Sequence, residues 1–249
     1  MFRDSLSVLM CTVSICATTV NASATVTVSF SPTTNASATA TQSITTGRWT
    51  VVCTTNNAAS PTTFQVNCDA NDDFNSITFN VGVNGWANAY IGIGDNPWNR
   101  AGDITYITRN GDGPVVLSNL NSSGTVGNIV VNSITQATIE GSVTGSIHLP
   151  VNSALQCSLN HTTIHGNLYG NVGVPAGTIL GLQVDGDIGS AQAPSTITVR
   201  DNIYLLEAQS IYATVDANTE PGHWIGTFHT RGDFKGTLSA SELSAFNQK

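Results

Sequence analysis

Apolar residues return at a nearly constant spacing in the C-terminal half of the chain, with Gly, Ser, Thr and Asn between them. Each return carries a short motif, such as V-T-G-S-I at 143–147, L-Y-G-N-V at 168–172 and F-K-G-T-L at 234–238. The leading residues, at steps of 25, 20, 23 and 23, are Val143, Leu168, Ile188, Ile211 and Phe234. This period is typical of a solenoid, in which each repeat buries its apolar face only by stacking on the next.

A second motif abuts the first and continues its alternation. It reads I-E-G-S-V at 139–143 and I-H-G-N-L at 164–168, with a glycine between two apolar residues that stand four positions apart. Alternation along a strand places Ile139, Gly141 and Val143 on one face. A glycine in such a column predicts that the strand bends there or that two backbones pass close together.

The residues between these inward positions predict two polar columns on the outside of the coils. The first column contains Glu140, His165, Asp185 and Arg231, and the second contains Ser142, Asn167, Asp187 and Asp233. Repeats of 20–25 residues match the coils of a three-sided parallel β-helix, which we expect over residues 118–240 in about five to six coils. The competing fold is a meander of hairpins, which would need turn signals every ~8–12 residues.

The segments that flank these coils have different patterns. Residues 47–117 contain short alternating runs between Asn-, Asp- and Gly-rich turns, which predicts a β-rich N-terminal cap over one end of the solenoid. Residues 25–46 begin with a strand-like alternation and continue as a Thr/Ser/Ala-rich run, which predicts a flexible approach segment. At 241–249 we expect either a tail with a short helix, since Ser239 stands three residues before Glu242, or a truncated coil.

The composition favours an all-β fold and excludes several classes of function. Charged residues are 10% of the 249, and Ser, Thr, Asn and Gly carry the polarity, which suits strands and turns. The net charge is −8 with eight Lys and Arg, so we expect no nucleic-acid partner and no anionic membrane surface. No later stretch reaches the ~18 apolar residues of a spanning helix, so no transmembrane segment is expected.

The N-terminus predicts export. Arg3 precedes a mildly apolar stretch at 6–20, and Ala22-Ser23-Ala24 fits the cleavage site of a signal peptide over residues 1–24. The alternative is an ordinary strand, because the stretch is rich in Thr and Asp4 offsets the charge of Arg3. With a signal peptide, the protein is expected to be secreted or displayed on the cell surface.

Cysteines in an exported chain predict one disulfide. Cys53 ends the run W-T-V-V-C, Cys68 ends F-Q-V-N-C, and turn-forming residues separate the two runs. A hairpin closed by this pair would gain about 3 kcal/mol of stability in the chain-entropy model. Cys157 stands in A-L-Q-C-S-L, where we expect it to be a small buried apolar residue.

Three blocks of the repeat region resemble a group of exported bacterial repeat proteins that have no assigned activity. The blocks are G-D-I-G-S-A-Q-A-P at 186–194, I-Y-L-L-E-A-Q-S-I-Y-A-T-V-D-A at 203–217 and G-D-F-K-G-T-L at 232–238. The resemblance extends over about 118–240 and implies a secreted β-solenoid. It implies no catalytic residue.

Three carboxylates are the candidate surface-site residues: Asp185, Asp187 and Asp233, which lie on the neighbouring outward columns. If they converged in a groove, they would suit a polysaccharide lyase or a glycoside hydrolase, since hydrolysis uses two carboxylates about 5–10 Å apart. Outward Asp next to Gly is more often a solvated turn residue. A carbohydrate-active enzyme therefore requires that these three carboxylates converge in a groove. If they are spread along a flat face instead, the enzyme is disfavoured.

Other candidate sites have weaker patterns. Asp69, Asn71 and Asp73 open like a calcium loop but lack the Gly and the Glu that should follow, so Ca²⁺ is the one cofactor suggested and none is required. His161 and His165 have the spacing of a helical metal pair but stand in a strand, where we expect an exposed polar pair without an acidic partner. Ice binding would need a T-x-T in each coil, which is missing.

Aromatic residues add one further possibility. Trp224 follows Pro221-Gly222 in a predicted loop, where it would either stack on a sugar ring or plug the edge of a coil. The sequence therefore predicts an exported all-β protein, a parallel β-helix with a β-rich N-terminal cap. Its expected role is structural or adhesive, with extracellular polysaccharide or cell-surface components as partners, and the alternative is a carbohydrate-active β-helix enzyme.

Overall fold

The computed structural model describes residues 12–13, 26–68, 73–93, 102–152, 155–217 and 221–248. The regular elements of these ranges are all strands. In chain order they are β1 (Thr12–Val13), β2 (Thr27–Ser31), β3 (Ala36–Gln42), β4 (Trp49–Thr55), β5 (Thr62–Cys68), β6 (Phe74–Val81), β7 (Ala87–Ile93), β8 (Ile104–Asn110), β9 (Val115–Ser122), β10 (Val126–Val130), β11 (Ser133–Ile139), β12 (Ile147–His148), β13 (Cys157–Ile164), β14 (Val172–Val174), β15 (Gly177–Val184), β16 (Ser195–Val199), β17 (Ile203–Ala208), β18 (Ala213–Asp216), β19 (Trp224–Thr230), β20 (Thr237–Ser239) and β21 (Glu242–Gln248).

The strands form two sheets between which the chain alternates. The long sheet contains β1, β2 and the odd-numbered strands from β5 to β21, and the second sheet contains β3 and the even-numbered strands from β4 to β20. From β4–β6 and β5–β7 onward, neighbouring strands pair in parallel. Each coil thus adds one strand to each sheet, and the predicted all-β parallel β-helix is confirmed.

The predicted ladder of apolar residues forms a third and narrower line of contact between coils. Parallel bridges join, in this order, Val126, Val143, Leu168, Ile188, Ile211 and Phe234. The first five are fully buried, and Phe234 is partly buried against the core. Burial of one such aliphatic side chain contributes about 1.5–3 kcal/mol, so this ladder stabilises the stack of coils.

Glycine in the repeats stands where neighbouring backbones touch. The Gly166 N–H donates to the Gly141 carbonyl of the preceding coil at 3.0 Å. A Cβ atom on Gly170 would overlap the carbonyl oxygen of Gly145. The prediction of a close approach between backbones is therefore confirmed at these positions.

The parallel coils begin earlier than the sequence indicates. Strands β4 to β8 lie within 47–117, β9 begins there, and all of them already pair in parallel with the strands of later coils. This segment is therefore part of the solenoid and is not a separate cap. Its in-register residues are unevenly spaced, from Thr62 to Ala87 to Val115, and this unevenness conceals the period.

In the segment at 25–46, the predicted strand-like alternation is confirmed by β2, whereas the prediction of a flexible run after it is wrong because β3 forms there. Strand β2 pairs antiparallel with β5, and β3 pairs antiparallel with β4. The small side chains of Ala36, Ala38 and Ala40 pack on the core and let β3 lie close to it. These two antiparallel strands cover the first coil, which is the capping role that a solenoid end requires.

The C-terminal residues continue the stack instead of forming a helix. Strand β21 pairs in parallel with β19, with Leu243 opposite Ile225 and Phe246 opposite Phe228. The helix prediction from the Ser-x-x-Glu pattern is therefore wrong, because stacking on an open strand edge outweighs a local capping signal. The alternative prediction of a further coil fits residues 242–248.

Cys53 and Cys68 are separate thiols, and the predicted hairpin between them is wrong. Strands β4 and β5 belong to different sheets, so the turn between them connects two walls of a coil. Both side chains are buried, and Cys68 Sγ–H donates to the Gly92 carbonyl at 3.4 Å. Burial raises the pKa of the Cys53 thiol. Cys157 is buried, as predicted.

Two predictions fall mainly on residues without a described structure. The signal peptide at 1–24 lies outside the described residues except for Thr12–Val13. Of the suggested calcium loop, Asp69 and Asn71 also lie outside them. Within the described ranges, no helix has the length and apolarity needed to cross a membrane.

Candidate functional site

The outer face of the long sheet carries a charged row near the C-terminal ends of its strands. The members of the charged row are Glu140, His165, Gln183, Asp185, Glu207, His229 and Arg231. Gln183, Glu207 and His229 stand in register on β15, β17 and β19, and each of the other four residues directly follows the end of a strand. In a chain with few charged residues, this is a notable concentration of charge on one face.

His165 connects three successive coils of the charged row. Its Nδ1 lies 2.7 Å from Asp185 Oδ2, and its Nε2 lies 3.9 Å from Glu140 Oε1. Gln183 Nε2 donates to the other oxygen of Asp185 at 3.3 Å. The hydrogen bond with His165 lowers the pKa of Asp185. The prediction that His165 has no acidic partner is wrong, because residues 20–25 apart in the chain are neighbours in adjacent coils.

A second group in the charged row is centred on Glu207. Its Oε1 lies 2.6 Å from Arg231 Nη2 and 3.5 Å from His229 Nδ1. The corner that contains Gln209 is one residue shorter than the matching corner of the preceding coil, since Ala208 and Ile211 are three positions apart whereas Val184 and Ile188, with which they align, are four apart. Gln209 spans this corner, so the predicted first column is interrupted between Asp185 and Arg231.

Asp187 belongs to a different column, in which side chains join the backbones of successive coils. Ser142 Oγ accepts from the Asn167 N–H at 3.0 Å, and Asn167 Oδ1 accepts from the Asp187 N–H at 2.8 Å. Such bonds satisfy corner N–H groups that the strands leave unpaired. The second predicted column therefore has a structural role in the stack.

Asp233 lies in the same column as Asp187 but two coils further along. Because adjacent strands are about 4.8 Å apart, their backbones are roughly 10 Å apart. The Asp233 carboxylate lies 2.9 Å from Lys235 Nζ, and this contact raises the pKa of Lys235. The candidates Asp185, Asp187 and Asp233 thus have separate surroundings: Asp185 contacts His165, the Asp187 N–H donates to Asn167 and Asp233 contacts Lys235.

The described residues also give no metal centre. No group of three or more His, Cys, Asp or Glu among them has an arrangement that could hold a metal ion. Asp73, from the suggested calcium loop, accepts from the Asp103 N–H at 3.3 Å, and Asp103 accepts from the Thr125 N–H at 2.6 Å. Asp73 therefore takes part in another ladder between coils.

A shallow depression lies on the outside of the same sheet, towards the N-terminal ends of β13, β15 and β17. We call it the Tyr204 depression. It has a volume of about 340 Å³, and its lining includes Ser158, Asn160, Thr178, Leu180 and Tyr204. Leu180 and Tyr204 expose 41% and 44% of their surface, which is unusual for large apolar side chains on this protein.

Trp224 borders the Tyr204 depression and is not in a loop as predicted. It begins β19, and its ring meets the Tyr204 ring edge-on with centroids 4.6 Å apart. The ring of Trp224 lies over Gly226, where a Cβ atom would come within 2.6 Å of it. The absence of a side chain at Gly226 therefore allows Trp224 to orient Tyr204.

A second groove on the opposite sheet is a weaker candidate. It has a volume of about 460 Å³ and lies beside Gly173, between His148 and Thr198. Its polar side chains already join coils: Asn171 Oδ1 accepts from the Thr196 N–H at 2.8 Å, and Ser146 Oγ accepts from the Asn171 N–H at 3.2 Å.

Comparisons with known proteins assign none of these features. No protein-family model, no curated protein and no solved structure matches this chain. A role has to be inferred from the charged row and the Tyr204 depression themselves.

Proposed function

We propose that this chain is an exported structural or adhesive solenoid protein that contacts extracellular polysaccharide through the outer face of its long sheet. One observation carries the proposal: Tyr204 and Leu180 are exposed on a sheet face beside amide and hydroxyl groups. Rigid faces with an aromatic ring and a few polar groups suit recognition of sugar rings, which have apolar C–H faces and polar edges.

The carboxylates on this face have basic partners, which favours binding of a polysaccharide over its hydrolysis. Asp185 contacts His165, Glu207 contacts Arg231 and Asp233 contacts Lys235. A general acid in glycoside hydrolysis needs a raised pKa, whereas the hydrogen bond from His165 lowers the pKa of Asp185. The face is therefore better suited to hold a polymer than to cleave it.

A structural role is supported by the way the coils are joined. Each coil buries aliphatic residues in the shared ladder and binds the next coil through side chains such as Asn167. A repetitive stack of this kind gives a long, stiff face with many equivalent contact points. Such a face suits attachment to an extended polymer, and the predicted signal peptide would place it outside the cell.

The test combines binding with an activity control on the full chain. We expect retention of the purified protein on at least one of several insoluble polysaccharides, such as cellulose, chitin and xylan, in a sedimentation assay. We expect no release of reducing sugar from the same polymers during prolonged incubation. Release of reducing sugar would favour the enzyme, and a complete lack of retention across a broad glycan array would refute the proposal.

A further inference from the structure

The Tyr204 depression contains an unsatisfied hydrogen-bond acceptor. Asn160 Oδ1 is buried, and no described group donates a hydrogen bond to it. Leaving a buried acceptor unpaired is unfavourable. Because Asn160 lines the depression, rotation of its side-chain amide would turn this oxygen towards a ligand hydroxyl, which would supply the missing donor.

The register of the long sheet brings this acceptor into line with the exposed apolar residues. Leu159, Ile179 and Ile203 pair in successive coils and face the core. The residue after each of them faces outward, which aligns Asn160, Leu180 and Tyr204 in one column across three coils. Neighbouring members are therefore about 4.8 Å apart along the stack.

The Tyr204 ring is oriented before any ligand arrives. Trp224 packs edge-on against it at 4.6 Å, and Gly226 leaves room for the Trp224 ring. A preoriented ring loses little rotamer freedom on binding, which favours affinity. Tyr204 therefore acts as a stacking platform, with the Asn160 acceptor two coils away.

The lining also indicates the charge of the ligand. Ser158, Asn160, Thr178, Leu180 and Tyr204 are uncharged. The charged row on the same sheet carries three carboxylates, on Glu140, Asp185 and Glu207, against one arginine, Arg231, and the whole chain has a net charge of −8. An anionic sugar would find no Lys or Arg in the lining of the depression and an excess of carboxylates beside it, whereas a neutral sugar would meet no such repulsion.

We propose that the Tyr204 depression is a subsite for a neutral hexopyranose unit of a polysaccharide. The sugar ring packs on Tyr204 and Leu180, and one of its hydroxyls donates to Asn160 Oδ1. This inference rests on the proposed function and adds the location of the site and the class of sugar.

Affinity gel electrophoresis of the full chain tests it with three soluble probes: galactomannan and hydroxyethyl cellulose, which are neutral, and polygalacturonate, which is anionic. We expect retardation by a neutral probe and none by polygalacturonate. The Tyr204→Ala variant should weaken binding about tenfold. The Tyr169→Ala variant is the matched control, because Tyr169 is 50% exposed but lies outside the depression, and it should bind like the wild type.

Asn160→Leu separates binding from folding. Leucine has a similar size and removes the unpaired oxygen, so the melting temperature should stay the same or rise while binding weakens severalfold. If the wild type binds a neutral probe but Tyr204→Ala and Asn160→Leu bind equally well, the subsite is wrong and the proposed function stands. If polygalacturonate is the only probe that retards the protein, the inference that the ligand is a neutral sugar is wrong. A wild type that binds no probe here and no polymer of the glycan array refutes both proposals.

Discussion

Replacing Gly170 by Ala tests whether close backbone stacking joins the coils. A Cβ atom at this position would overlap the Gly145 carbonyl and lie 2.7 Å from the Ser146 nitrogen. Both obstacles are backbone atoms of the preceding coil, so neither can move aside by rotating a side chain. The coil at 168–172 would have to move away from the coil at 143–147.

The expected cost follows from what this displacement breaks. Forcing an extra methyl group into a packed site typically costs about 1–3 kcal/mol. Weakening the bond from the Tyr169 N–H to the Val143 carbonyl, 2.9 Å long in the wild type, adds about 1 kcal/mol. The free energy of unfolding should therefore fall by about 2–4 kcal/mol. For a chain of this size, that corresponds to a decrease in Tm of roughly 4–16 °C.

Thermal unfolding followed by far-UV circular dichroism measures the effect, with Gly181→Ala as the matched control. A Cβ atom on Gly181 would find its nearest neighbours at 3.8 and 4.0 Å, which is ordinary van der Waals contact. Alanine there should leave the Tm unchanged or raise it slightly, because it restricts the unfolded chain. If Gly170→Ala melts at the same temperature as Gly181→Ala, the stacking argument is refuted.

Three further predictions concern charges and thiols. Because His165 lowers the pKa of Asp185 in the folded state, the stability from this contact is complete above the ordinary value of 3.8 and is lost as the pH falls through the lower folded-state pKa. Urea unfolding between pH 7 and pH 2 should show that the free energy of unfolding of the wild type exceeds that of Asp185→Asn by less and less as the pH falls below 3.8. A difference in free energy that does not change with pH would contradict this. Arg231→Ala should lower the free energy of unfolding by less than about 1 kcal/mol, since the Arg231 side chain is 43% exposed despite its short contact with Glu207; a loss several times larger in urea unfolding would show that the pair is structurally central. Iodoacetamide without reductant should modify Cys53 only after unfolding, since burial raises the pKa of its thiol, and a peptide map that contains a Cys53–Cys68 crosslink would refute the separate thiols.

The coils at 143–238 were predictable because one physical requirement recurs in them. Each coil needs an apolar residue in the ladder that begins at Val143, and a small residue where its backbone touches the next coil. Both kinds of residue therefore recur in the sequence at nearly regular intervals. Between 49 and 122 the same fold uses larger core side chains, such as Phe64 and Phe79, and corners of unequal length. The periodicity disappears there although the strand pairing is the same.

The candidate site was predictable only in part. Alternation correctly placed Glu140, His165 and Asp185 on the outside, but the ion pair between His165 and Asp185 depends on register between coils. The one-residue shortening at Gln209 breaks the column and cannot be recognised before the strands are aligned. Asn160, Leu180 and Tyr204 had a readable signal, since each follows an inward aliphatic residue by one position. No charge or motif distinguishes them in the sequence.

The joining of each coil to the next has a mechanical consequence. Bonds such as those from Asn167 to the Asp187 N–H run along the axis of the stack, between immediate neighbours. A pulling force on the two ends of the chain would therefore peel coils from the ends in succession, each releasing about 80 Å of extended chain. A stack of this kind would lengthen by small steps under load, and the coils that are still stacked would continue to present their outer face.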